Sequence, residues 1–139
     1  MEWRASIDID AAPDTVWRVL SDVEDWPAWT PSVRRITRLD PGPLHVGQRL
    51  RISQPRFPTT VWRLTELVDG RSVVWRAGGR GARVTATHAL EPRAAGTRVT
   101  LSLALLGPLG LLVGVLTGGL TRRYLELETT GLKRASERS

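Results

Sequence analysis

From Val99 to Thr121 the chain carries no charged residue, and Arg98 and Arg122 bound the run. How this segment folds limits everything else the chain can do. About 18 uncharged residues are enough to raise the question of a membrane span. The pattern inside the run argues against one. Val99, Leu101, Leu103 and Leu105 alternate, as one face of a strand should. Gly107-Pro108 then breaks the run, and glycines recur at 110, 114, 118 and 119. Split at Pro108, neither part crosses a bilayer. After the break, Leu109, Leu112, Val113, Leu116, Leu120, Tyr124 and Leu127 fall at helical spacing, with Arg122, Arg123, Glu126 and Glu128 as the polar part. The spacing predicts a helix from 109 to about 135, roughly 40 Å long at 1.5 Å per residue. Its apolar stripe is expected to pack on the protein's own sheet; lying against a membrane surface is the rival reading.

The rest of the chain supplies that sheet. Trp3, Ala5, Ile7 and Ile9 alternate with polar residues over 2–10, which predicts a strand with one buried face. Pro13 and Asp14 suit the first turn of a helix carrying Val16, Trp17 and Leu20 as its apolar stripe. Ser21-Asp22 ends that helix and starts a short helical turn around Asp25, Trp26 and Trp29, which Pro27 and Pro31 keep short. Strands are then expected over 33–39, 48–53, 59–68, 72–77, 82–90 and 99–105. Asp69-Gly70 and Gly78-Gly79-Arg80-Gly81 provide turns between them. Consecutive strands joined by short turns imply an antiparallel meander. The expected class is therefore α+β, and 139 residues suffice for one domain, 1–139, with a real core.

The order and wording of these segments carry a resemblance. Ile7-Asp8-Ile9-Asp10-Ala11-Ala12-Pro13-Asp14-Thr15-Val16-Trp17-Arg18-Val19-Leu20-Ser21-Asp22, followed by Trp26-Pro27-Ala28-Trp29, resembles the START-like superfamily in its polyketide cyclase/dehydrase branch, also called SRPBCC. Val46-Gly47-Gln48, Trp62 to Glu66, and Gly96-Thr97-Arg98-Val99-Thr100 extend the likeness over the whole chain. The resemblance implies a helix-grip fold: a strand, two short helices, six strands and a long helix. It also implies a cavity between the curved sheet and that helix. Members bind lipids, polyketides, quinones, plant hormones or sterols, and a minority are enzymes, so the fold alone does not choose a function. One departure is the glycine-rich start of the last helix. Gly110, Gly114 and Gly118 each cost about 1 kcal/mol of helix stability against alanine, which either close approach to the sheet or space for a ligand must offset.

The formal charge of +6 rests on arginine, Lys133 being the sole lysine. The arginines are scattered, with doublets at Arg34-Arg35 and Arg122-Arg123, and asparagine is absent, which fits a GC-rich coding bias. No dense basic run or aromatic-basic motif appears, so no specific nucleic-acid partner is expected. The absence of cysteine removes disulfides and thiolate chemistry, and two distant histidines make a metal centre improbable. No cofactor motif is present; the glycines at 78–81 sit between strands, unlike a phosphate loop. MEWRASIDID opens with charges and has no apolar core, so a cytoplasmic protein without a secretory signal is expected.

For proton-transfer chemistry the candidates are His88, which alternation places beside Val84, Ala86 and Leu90, and Glu66, on the side of Trp62 and Leu64. The competing reading makes His88 a packed core residue and lets a local bulge turn Glu66 outward. Trp29, Trp62, Glu66, Trp75, His88, Leu103, Leu116 and Tyr124 are the expected ligand-lining residues. The tryptophans equally suit a core. The leading expectation is a binding or carrier module for an apolar small molecule, namely a lipid, polyketide or other polycyclic. A cyclase or dehydratase using His88 and Glu66 is second, and a protein in transient contact with a membrane surface is third.

Overall fold

A computed structural model describes residues 1–139. Strand β1 (Glu2–Ile9) leads through helix α1 (Pro13–Ser21) and a 3₁₀ helix (Val23–Ala28) to six further strands. These are β2 (Arg35–Arg38), β3 (Arg49–Ser53), β4 (Thr60–Val68), β5 (Ser72–Gly78), β6 (Arg83–Arg93) and β7 (Gly96–Leu106), and the chain closes with helix α2 (Gly110–Glu137). All pairings are antiparallel, in the order β1-β7-β6-β5-β4-β3-β2. β2 to β7 form the meander, and β1 adds to its far side with Trp3 opposite Leu103 and Ile7 opposite Val99. This is the antiparallel α+β meander that the alternation predicts, in the helix-grip arrangement that the resemblance implies.

The turn in the uncharged run is where the fold is set. Gly107 has φ +105, and a Cβ there would overlap the neighbouring Gly81 backbone. A side chain is excluded on both grounds. Pro108 follows, Leu109 donates its N–H to the Gly81 carbonyl at 2.8 Å, and α2 runs back across β1 and β7 and against α1. No helix is long and apolar enough to cross a membrane.

The face of α2 turned to the sheet corrects the expected leucine stripe. Gly110, Gly114, Thr121, Tyr124, Leu125, Glu128 and Leu132 are buried, while Leu109, Leu112 and Leu116 are exposed. A Cβ on Gly114 would come within 3.2 Å of the Trp3 ring and one on Gly118 within 3.4 Å. Trp3 thus fills the space that larger helix side chains would need. Close approach offsets the glycines' helix penalty, and the leucines are left on the outer side.

At the opposite edge, Asp40 organises the loop before β3. It accepts from the Arg49 guanidinium at 2.9 and 3.1 Å and from the Arg49 backbone N–H at 2.9 Å. The guanidinium hydrogen bonds, then the backbone one, hold the Asp40 carboxyl down to about 2 from 3.8. A folded value below the unfolded one means stabilisation complete above about pH 4 and lost as pH falls through about 2. Asp40→Asn should therefore flatten the fall in stability between pH 4 and pH 2, measured by urea unfolding. An unchanged pH profile would contradict it.

Candidate functional site: a cavity beneath the long helix

Between α2 and the concave sheet face lies a cavity of about 390 Å³. Thr60 and Trp62 of β4, Ala77 and Gly78 of β5, Val84 of β6, and Leu103 and Leu105 of β7 form its floor. The roof is α2, from Val113 through Thr117, Thr121 and Tyr124 to Glu128. Fifteen residues of helix rise roughly 22 Å, so the space is elongated. Ten of its 17 lining residues are hydrophobic, which suits an apolar occupant.

One side is closed by the segment Gln54–Pro58. The Tyr124 hydroxyl donates to the Pro55 carbonyl, and the Phe57 and Tyr124 rings meet edge-on at 5.6 Å. The helix thereby fastens the loop to the cavity wall.

At the far end of the roof stands Glu128, the one carboxyl in the lining. Its Oε1 lies 3.5 Å from Nε2 of His88, long for a hydrogen bond but close enough for electrostatic contact. His88 is buried, and neither ring nitrogen has a hydrogen-bonding partner in the protein. Trp26 and Trp75 flank it at ring-centroid distances of 5.3 and 5.0 Å. An imidazole fixed between two indoles can move only a proton, and the group it faces is the Glu128 carboxyl.

The expected site residues divide. Trp62, Leu103 and Tyr124 line the cavity. His88 stands behind Glu128 rather than at the surface of the space. Trp75 is core, packed on His88 and Trp26. Trp29 is displaced to the other side: it packs on Trp26 at 5.2 Å and borders a shallow surface depression with Arg18 and Arg138. Glu66 is corrected to an exposed position. The ladder slips between Leu64 and Glu66, so Leu64 faces Trp75 while Glu66 pairs with Val74, and Leu67 takes the inward place. Leu116 is also corrected; it is 76% exposed on the outer side of α2. Sequence spacing assigns Glu128 only to the helix's polar side. The available signal is its spacing from Thr117, Thr121 and Tyr124, which puts all four on one helical face.

The family described as "Polyketide cyclase / dehydrase and lipid transport" matches residues 2–137. The chain belongs to that family. Among solved structures, a hypothetical protein of Helicobacter pylori superposes with TM-score 0.79 at 13% identity, covering 97% of this chain and 86% of that one. A Thermus thermophilus protein superposes with TM-score 0.77 at 22% identity, covering 98% and 97%. The Zhui aromatase/cyclase from a Streptomyces species gives 0.76 at 15% identity, covering 99% and 94%. At these identities the likeness establishes the fold of this family member and leaves its ligand open. No curated protein sequence matches it.

Proposed function

We propose that this family member is a cytoplasmic binding and carrier module, residues 1–139 acting as one unit, for an elongated apolar small molecule of the lipid or polycyclic polyketide type. The observation that carries the reading is the mostly apolar cavity of about 390 Å³ running under α2. Burying about 300 Å² of ligand apolar surface contributes roughly 7 kcal/mol before the costs of association. An apolar cavity therefore supplies a driving force for binding without a dense set of polar contacts. Native mass spectrometry after gentle purification should reveal a bound apolar molecule. Calorimetry of delipidated protein against fatty alcohols and polycyclic phenols should show saturable binding of at least one of the two classes. A protein that stays empty against both classes would remove the carrier reading.

A second reading, cyclisation or dehydration of a polyketide-like substrate, is favoured by one observation. Glu128 faces the cavity with His88 behind it at 3.5 Å. For loss of water, the Glu128 carboxylate would accept a proton from a carbon next to a ketone. The double bond forms as the β-hydroxyl departs, and Glu128 returns the same proton to it so that it leaves as water, with His88 holding the Glu128 carboxyl in position. Under this reading Glu128→Gln and His88→Ala each lower turnover of a β-hydroxyketone substrate by about 100-fold or more, the usual size for a general acid–base group. Ligand affinity should change less than fivefold. Turnover unaffected by either change would remove the pair from any mechanism.

A further inference from the structure

The outer side of α2 is unusual for a protein surface. Leu106, Leu109, Leu111, Leu112, Val115 and Leu116 are each at least 50% exposed, and they account for six of the ten exposed large hydrophobic residues in the chain. Scattered single leucines on a surface are ordinary, but a contiguous group marks a contact face. Its surroundings are mainly cationic, with Glu126 one turn beyond Arg122 and Arg123 as an exposed carboxylate on the same side of α2. Arg122 and Arg123 continue the same outer face one to two turns further along α2. Arg56 and Arg123 border a depression with Leu116 and Leu120, Arg80 adjoins Gly81 against Leu109, and Arg83 is paired in register with Leu106. All five arginines are exposed, and none forms an ion pair. The residues that build this face, 56–58, 80–83 and 106–123, include no aspartate or glutamate.

We propose that this face docks on an anionic lipid bilayer, with the leucines entering the headgroup boundary and the arginine rim on the phosphates. Charge selects the partner. A second copy of the chain placed on the same patch by a two-fold axis would set one arginine rim against another, whereas anionic lipid neutralises it. The position of the face gives docking a use that rests on the carrier reading. Phe57, Pro58 and Thr117 border both the outer depression and the cavity. A bilayer on this face would lie beside the loop that closes the ligand space, so an apolar molecule could pass between membrane and cavity without entering water.

Flotation with vesicles of equal parts phosphatidylglycerol and phosphatidylcholine tests the proposal. The protein should float with these vesicles, remain behind with pure phosphatidylcholine, and release as salt rises to about 0.5 M. Arg122→Ser with Arg123→Ser should weaken partitioning about 25-fold, since one arginine near such a surface gives about fivefold. Leu112→Ser with Leu116→Ser should weaken it at least tenfold while circular dichroism and uptake of a soluble apolar probe stay as in the parent. Thr121→Trp, which fills the cavity, should float normally, so a failed carrier reading and a failed docking reading give different results. No flotation, equal flotation with neutral vesicles, or insensitivity to both double substitutions would overturn the proposal. So would a concentration-dependent dimer in sedimentation that the leucine substitutions abolish, which would assign the face to a second copy.

Discussion

Thr121→Trp is expected to lower affinity for an apolar ligand at least 100-fold while the protein stays folded. Thr121 is buried in the roof midway between Val113 and Glu128 and makes no side-chain hydrogen bond whose loss would count against the variant. An indole there projects into existing space rather than into packed atoms, so the overpacking penalty of a full core does not apply. Dividing the cavity denies the ligand about half of its roughly 300 Å² of burial, worth 3 to 4 kcal/mol at about 25 cal/mol per Å². Each 1.4 kcal/mol is tenfold in affinity. Isothermal titration with a long-chain alcohol measures the loss, and thermal unfolding confirms that the variant folds. Unchanged affinity would mean that the ligand sits elsewhere.

The largest effect on stability should come from Gly131. Helix α2 passes so close to the chain after the 3₁₀ helix that a Cβ on Gly131 would overlap the Trp29 carbonyl oxygen and lie 3.0 Å from its carbon. Backbone cannot swing aside as a side chain can. Gly131→Val is expected to lower stability by about 3 kcal/mol, the upper part of the overpacking range, which for a domain of this size lowers Tm by roughly 10 °C. Gly119 offers the opposite case on the same helix, because nothing lies within 4 Å of a Cβ placed there. Gly119→Ala should raise stability by up to about 1 kcal/mol, through helix propensity and a less flexible unfolded chain. Equal effects at the two positions, measured by urea unfolding, would contradict the packing described for α2.

These contrasts show what could be read before the structure. All seven strands lie within about three residues of where the sequence places them, and alternation marks most of them because one buried face leaves the same imprint in each. Alternation failed at Thr65. A bulge there adds one residue, exchanges the sides for Glu66 and Leu67, and leaves no trace in a pattern that already contains polar residues on both faces. The long helix was legible in position and length but not in orientation. Large apolar residues usually mark the buried side of a helix, yet here Trp3 occupies the interface and only small residues fit against it. The site shared this fate. Trp62, Leu103 and Tyr124 face the cavity, as their regular faces suggest, whereas Glu128 comes beside it only where α2 passes over β6 and His88. Leu116 and Glu66 went astray for the two reasons already given, the inverted helix and the bulge.

Amide and methyl chemical-shift mapping during titration with a fatty alcohol or a polycyclic phenol tests the cavity most directly. Perturbations should run in one band from Val113 through Thr117, Thr121 and Tyr124 on α2, with Trp62 and Leu103 beneath them, and end near Glu128. Shifts confined to Leu112, Val115 and Leu116 on the outer side, or no shifts at saturating ligand, would show that the space under the helix is not where this protein holds its ligand.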